Sequence, residues 1–385
     1  MKKTHKLIAI ILCILLMLLP TAACAEESAQ QAAEAPEMKA AVLMEAGTGQ
    51  ILYSVNSAEK LPMASITKVM TLLVLSDFID DGKLQLTDKV KASSAASSAD
   101  GSVIWLEPGE EMTAAELLEA VIVSSANDAC IALAEHTAGS EAQFVKLMNA
   151  RAKKMGLKNT RFTGCVGYDA NGHYSTAEDI AVMTAELMEK EYYRGWLLTW
   201  LDYLRGGATQ LLNTNKLVRY YDGILGGKTG TTDGAGCCLA ACAERGNMRL
   251  VAVVLGCGED PRRFDKAEEL LDHGFSAFER FTPEVDSREL KPIPVIRGEQ
   301  TEVQPMIGQR GDCIIKKGRS GSVEYEYTFV EGLEAPVEKG QFVGEYLVTL
   351  DGKEVFRSDI VAKEDVRRMN FGMYFLRVLG ELITF

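Results

Sequence analysis

Polar and apolar positions change their spacing several times along this chain. Residues 40–43 and 51–55 are short apolar runs separated by Glu45-Ala46-Gly47-Thr48-Gly49, which predicts a strand, a turn and a strand. Residues 66–79 are dense in Leu, Val and Met and predict a buried helix. Thr113-Ala114-Ala115-Glu116 has the spacing of a capping box, with a helical run over 117–123 behind it. Residues 129–137 predict another helix, and Ser175-Thr176-Ala177-Glu178 a second capping box opening a helix to about Lys190. Beyond Lys228 the pattern turns extended. The apolar runs 237–243 and 248–255, joined by Glu244-Arg245-Gly246-Asn247, predict an antiparallel hairpin, and a helix is expected from about Asp265 to Phe281.

The pattern differs again between 287 and 363. Val323, Tyr325, Tyr327 and Phe329 alternate with Glu324, Glu326 and Thr328, as on a half-buried strand. Asp351-Gly352 stands between extended runs at 342–350 and 354–361, a strong two-residue hairpin signal. This stretch reads as a small all-β domain. In the tail from 370 to 385, Asn370, Arg377, Gly380, Glu381 and Thr384 gather on one side of a helix. Phe371, Phe375, Leu376, Val378, Leu379, Leu382 and Ile383 cover the rest. Such a helix is too short to span a bilayer comfortably. It either docks on the fold or lies on a membrane surface, and the surface reading is favoured for a terminal helix on an exported chain.

Export is read from the other end. Lys2, Lys3 and Lys6 precede an almost wholly apolar run over 7–19, and Ala23-Cys24-Ala25 fits a small-x-small cleavage site. This is the layout of a secretory signal peptide over residues 1–25, with lipidation of Cys24 as the alternative. Residues 26–37 are polar, Ala-rich and aperiodic, a flexible spacer. The chain of 385 residues has room for two or three domains, and its formal charge of −13 argues against nucleic acid as a partner. Of nine cysteines, Cys13 and Cys24 belong to the leader. Cys130, Cys165, Cys237, Cys238, Cys242, Cys257 and Cys313 lie mostly in apolar runs and read as buried small hydrophobes rather than disulfide partners. His5, His136, His173 and His273 are isolated from one another, and no metal-ligand spacing is present.

Three short motifs carry candidate chemistry: Ser65-Ile66-Thr67-Lys68, Ser125-Ala126-Asn127 and Lys228-Thr229-Gly230. Positions three apart on a helix share a face, so Lys68 stands beside the Ser65 hydroxyl. A serine becomes a nucleophile when a neighbouring base takes its proton. A lysine serves as that base only if burial or a second cation lowers its pKa. Val69 and Met70 offer burial, and Lys228 offers the cation. Alternatively Ser65 is a helix cap and Lys68 a solvated side chain. Ser125 and Asn127 lie between two helices, where they either face a cleft or cap a helix. Gly226-Gly227 lead into an edge-like strand at Lys228, which can pair with an extended peptide. A phosphate loop is excluded, because the glycine it needs falls at Asp222.

In this order the three motifs resemble the signature of penicillin-binding proteins and serine β-lactamases. The closer resemblance is to the low-molecular-mass penicillin-binding proteins, D-alanyl-D-alanine carboxypeptidases of peptidase family S11. PMASITKVMT (62–71), HYSTAEDIAVM (173–183), NTNKLVRYYDGI (213–224) and GGKTGTTDGAG (226–236) carry it. The fold it implies is α+β, a penicillin-binding/β-lactamase-like domain over 38–285. A β-rich domain at 287–363 and a membrane-associating amphipathic helix at 365–385 follow. The implied reaction removes the terminal D-alanine from peptidoglycan stem pentapeptides without a cofactor, on the extracytoplasmic face of the bacterial membrane, with β-lactams as inhibitors. By resemblance Ser65 is the nucleophile, Lys68 the proton acceptor, Ser125 a proton relay and Asn127 a holder of the substrate amide. Lys228 adds positive field, and Thr229 and Thr231 lie by the substrate carboxylate with Gly230 between them. The N–H groups of Ser65 and Thr231 form an oxyanion hole, and Arg263, with Arg262 adjacent, faces the carboxylate. Ala126, and Thr163-Gly164-Cys165-Val166-Gly167 before His173, depart from the usual pattern and bear on substrate fine-tuning. The rivals are a serine β-lactamase, against which no Glu-x-x-Leu-Asn-like segment lies between Asn127 and Lys228, and a non-catalytic wall-binding or sensor protein.

Overall fold

The computed structural model describes residues 37–383. The expected signal peptide with Cys24, nearly all of the spacer and residues 384–385 lie outside the described residues. From Met38 onward the chain forms one compact unit.

Its centre is a five-stranded antiparallel sheet. Strands β1 (Ala40–Glu45) and β2 (Ile51–Val55) are the expected first pair. Strand β3 (Ile224–Thr232) is followed by the expected hairpin, β4 (Gly236–Arg245) and β5 (Met248–Cys257). The order is β2-β1-β5-β4-β3, so β3 is an edge strand with one side open. The inner strands are apolar over most of their length because both faces are covered, with charged residues only toward their ends at Glu45, Glu244, Arg245 and Arg249. In β5, Val251, Val253 and Leu255 point into one core, and Leu250, Ala252 and Val254 into the other.

The first core belongs to a helical layer. Helix α1 (Lys68–Asp80) is buried along Lys68–Ser76, and its polar Thr71 and Ser76 donate to the carbonyls of Cys165 and Leu73. Around it stand α2 (Ala114–Val123), α3 (Asn127–Ala138), α4 (Glu141–Lys154) and α5 (Ala177–Met188). The Thr113–Glu116 capping box forms as expected. The second one does not. Thr176, not Ser175, caps α5 by accepting from Asp179 N–H, while Glu178 accepts from Ser57 Oγ and Ser175 meets Thr160. Helix α4 was not foreseen, because its core stripe is only Phe144, Met148 and Ala152.

The second core is covered by α6 (Asp260–Ala277), which turns Phe264, Ala267, Leu271 and Phe275 toward the sheet. It starts five residues before the expected Asp265 because Pro261 suits a helix's first turn. It also stops earlier, since β6 (Phe278–Phe281) leaves to pair with β7 (Cys313–Lys316). The β-rich part that follows contains β8 (Val323–Phe329), β9 (Phe342–Leu350) and β10 (Lys353–Ala362) in an antiparallel sheet with Pro305–Ile307. Asp351 and Gly352 turn at φ 54° and 71°, the left-handed pair this hairpin needs. Gln50 of the catalytic part joins the two regions. Its amide donates to Ile314 O and accepts from Ile314 N–H, both at 2.9 Å. Helix α7 (Phe371–Ile383) closes the described chain. Arg377 ties it to the carbonyls of Gly298 and Glu299, and Phe371, Phe375 and Leu376 remain exposed. Among the described residues no helix is long and apolar enough to cross a membrane. The seven described cysteines are free and buried, as expected.

Candidate active site

Ser65 sits on a single 3-10 turn, Ala64–Thr67, that runs directly into α1. Ala64 takes φ 47° to make the corner, a strain that non-glycine residues accept only where the surroundings enforce it. Two backbone approaches enforce it here. Gly230 of β3 packs so closely that a Cβ would lie 2.7 Å from Met63 O and 3.0 Å from Ser65 N. Gly167, at φ 101°, presses from the other side, where a Cβ would lie 2.0 Å from Ala64 O. The first and third motifs are thereby in backbone contact although 160 residues apart in sequence, from Lys68 to Lys228.

Lys68 is the first residue of α1 and is fully buried. Its Nζ is 2.8 Å from Ser65 Oγ and 3.0 Å from Val166 O. Burial pushes its pKa down to about 8, with the Cys130 and Cys165 sulfurs below it opposing the shift. The expectation of a solvated lysine is excluded. Lys228 is buried too, its Nζ donating to Thr229 O at 3.1 Å. Burial first, then repulsion from Lys68 and Arg263, holds it well below the ordinary lysine value. The expected cation pair is thus present. The burial of Lys68 does more to lower its own pKa than its neighbour's charge does, and the repulsion registers on Lys228.

Ser125 and Asn127 enter from the link between α2 and α3. Ser125 takes φ 63° just past the end of α2, the N-cap position of α3 is held by Ala126, and the buried Ser125 Oγ has no hydrogen-bond partner. Asn127 opens α3. Its Nδ2 donates to Asp100 O at 2.5 Å, and its buried Oδ1 is without a partner. Nearby, Asp128 accepts from Ile104 and Leu106 N–H and fixes the loop that presents Asp100. Thr229 Oγ1 donates to Thr214 Oγ1 at 2.6 Å. Arg263 is buried on α6, donating to Thr231 Oγ1 at 2.9 Å and Gly230 O at 3.1 Å and pairing with Asp260. Arg262 instead faces solvent beside Glu259.

Ser65, Ser125, Asn127, Thr229, Gly230, Thr231 and Arg263 line one cleft of about 350 Å³, and the two amines are bonded to lining residues, Lys68 Nζ to Ser65 Oγ and Lys228 Nζ to Thr229 O. Unpartnered polar atoms of Ser125 and Asn127, a polarised hydroxyl and an arginine behind a threonine suit an anionic peptide end. Sequence reasoning assigned nothing to Thr214, Tyr168 or the Val166 carbonyl. Thr214 lay within 213–224, whereas Val166 acts through a backbone atom that no side-chain motif reports. His173 is structural. Its Nδ1 accepts from Thr163 N–H at 3.0 Å, so Nε2 carries the proton and donates to Thr67 Oγ1 at 2.7 Å. Among the described residues no cluster could hold a metal ion.

Residues 26–259 match the family described as D-alanyl-D-alanine carboxypeptidase, and residues 278–368 match the penicillin-binding protein 5 C-terminal domain. The chain is similar to D-alanyl-D-alanine carboxypeptidase DacF of Bacillus subtilis, 38% identical over 97% of both chains. Penicillin-binding protein 5 from Haemophilus influenzae aligns with a TM-score of 0.79 and 32% identity over 86% of this chain and 98% of that one. Penicillin-binding protein D2 from Listeria monocytogenes, in a cefotaxime-bound form, aligns at 0.57 and 30% identity, over 62% of this chain and 97% of its own.

Proposed function

This chain belongs to the D-alanyl-D-alanine carboxypeptidase family, peptidase S11, and we propose that it works through an ester formed on Ser65. Its activity is that of a D-alanyl-D-alanine carboxypeptidase of peptidoglycan metabolism, and it is a penicillin-binding protein. The observation that carries the mechanism is the 2.8 Å contact between Lys68 Nζ and Ser65 Oγ in a buried setting that lowers the lysine to about 8. Unprotonated Lys68 takes the Ser65 proton as Oγ attacks the carbonyl carbon of the penultimate D-alanine. The N–H groups of Ser65 and Thr231 stabilise the oxyanion, each donor contributing about 3 kcal/mol. Ser125 passes the proton to the departing amine, the C–N bond breaks and D-alanine leaves. Water then gives up a proton to Lys68 and attacks the ester carbonyl, the acyl C–O bond breaks, and Lys68 returns the proton to the departing Ser65 Oγ.

Asn127 Oδ1 is the free acceptor for a substrate amide N–H, and its lack of a partner supports that role. Thr229 and Thr231, the latter backed by Arg263, hold the terminal carboxylate. Lys228 adds positive potential beside Ser65 and Ser125. The substrate is a stem pentapeptide, and the work is extracytoplasmic, at the membrane surface to which α7 would hold the chain. The exposed Phe371, Phe375 and Leu376 support that anchorage. Family membership and the C-terminal domain weigh against the β-lactamase and the non-catalytic readings.

Mass spectrometry of the intact protein after benzylpenicillin tests this. One penicilloyl adduct on Ser65 is expected, absent in Ser65→Ala, together with D-alanine release from a pentapeptide. An adduct elsewhere, or none, would remove Ser65 from the mechanism.

A further inference from the structure

The loop after Cys165 does more than supply the Val166 carbonyl. At Gly167 it is pressed against the Ser65 turn, and the next two residues reach opposite walls of the cleft. Asp169 Oδ1 accepts from Thr232 Oγ1 at 2.7 Å and Oδ2 from Gly234 N–H at 2.9 Å, at the turn that follows β3. Tyr168 reaches the other wall. Its hydroxyl donates to Asp100 O at 2.9 Å and accepts from Asp100 N–H at 3.0 Å.

Asp100 O is also the acceptor for Asn127 Nδ2 at 2.5 Å, and the same nitrogen lies 3.4 Å from the Tyr168 oxygen. The orientation of the Asn127 amide is therefore set from its Nδ2 end, because Oδ1 has no partner. A primary amide is nearly symmetric in shape, so only hydrogen bonds decide which way it faces. The Asp100 peptide that makes the decision sits one residue before Gly101, at φ 85°, in a stretch without secondary structure. Tyr168 grips that peptide by both its N–H and its C=O.

We propose that Tyr168 is a positioning residue for the hydrolytic reaction, locking the Asn127 amide through the Asp100 peptide with Oδ1 free to meet substrate. Asp169 is the tether that keeps Tyr168 in place from the far wall. The inference rests on the reading of Asn127 as a substrate-holding residue. A phenylalanine at 168 keeps the ring and loses both bonds to Asp100.

The test is a double-mutant cycle on the full chain, with fluorescent penicillin acylation and D-alanine release from an N-acylated tripeptide ending in D-Ala-D-Ala as readouts. Tyr168→Phe is expected to lower acylation about three- to tenfold in the native background. It should have almost no effect in Asn127→Ala, where nothing is left to orient. A thermal midpoint measured on all four proteins reports folding separately, and a purely structural role would lower rate equally in both backgrounds. Equal losses in both, or no loss in the native background, would overturn the role of Tyr168 while leaving Asn127 intact. If Asn127→Ala itself keeps the native rate, the reading of Asn127 falls and this inference falls with it.

Discussion

At the scale of single residues, the site depends on what burial does to two amines. Lys68 is held near 8, so at neutral pH most of it is protonated, and in the proposed mechanism only the unprotonated fraction can accept the Ser65 proton. Acylation by penicillin should rise with pH through about 8 and level off above it. A rate already flat between pH 6 and pH 9 would mean another group accepts the proton. His173 works in the opposite range. Burial lowers it to about 4, against an ordinary value of 6.5, and its Nδ1 can accept from Thr163 only while unprotonated. Its folded pKa is the lower one, so between pH 6.5 and pH 4 the unfolded chain binds the proton and the folded chain does not. The stability His173 contributes is present above 6.5 and drains away as pH falls, at about 1.4 kcal/mol per unit. Urea unfolding should show His173→Gln less stable than the native chain at pH 7, with the gap narrowing by about 2 kcal/mol at pH 5. A gap constant across that range would show that His173 titrates normally in the fold. That Lys68 stands beside Ser65 was readable from spacing, but its burial was not. The positive φ of Ser125 was not, because it follows from a turn forced by the packing of α2 on α3.

At the scale of elements, the edge position of β3 is what makes a groove. Its inner side is hydrogen-bonded to β4, its open side faces the cleft, and Gly230 lets it touch the Ser65 turn. Gly230→Ala should therefore do more harm than its small volume suggests. The added methyl meets backbone, not a movable side chain, and the overpacking costs about 1–3 kcal/mol. Penicillin labelling should fall at least tenfold alongside a lower thermal midpoint. Normal labelling with a normal midpoint would mean β3 and the turn are free to separate. The sheet and its hairpin were legible because runs such as 237–243 and 248–255 have few other solutions. Helix α4 was not, because one buried residue per turn on a polar background gives a faint signal. The start of α6 was hidden for another reason. Its first turn, Asp260-Pro261-Arg262-Arg263, is polar apart from proline and shows no apolar periodicity, although Pro261 suits the position and Arg263 turns inward.

At the scale of the whole molecule, the catalytic sheet and the β-rich part share a continuous structure through β6–β7 and Gln50, with α7 at the far end of the chain. Removing residues 370–385 should leave penicillin acylation unchanged and abolish sedimentation with phosphatidylethanolamine–phosphatidylglycerol vesicles. Vesicle binding that survives the truncation would place the membrane contact elsewhere. Much of the local order along the chain, meaning the strongly apolar helices and strands, which motif residues share a helix face, and where a β-rich part begins, was determined by residue type and spacing, because these act over a few neighbours. The convergence of Ser65, Ser125 and Lys228 was decided only by the tertiary structure, and so were the values of the lysine pKa, the unpartnered Asn127 oxygen and the hold of Tyr168 on Asp100. Each of these depends on distances and exclusion of water between segments far apart in sequence, quantities that exist only once the sheet and the helical layer have closed on one another.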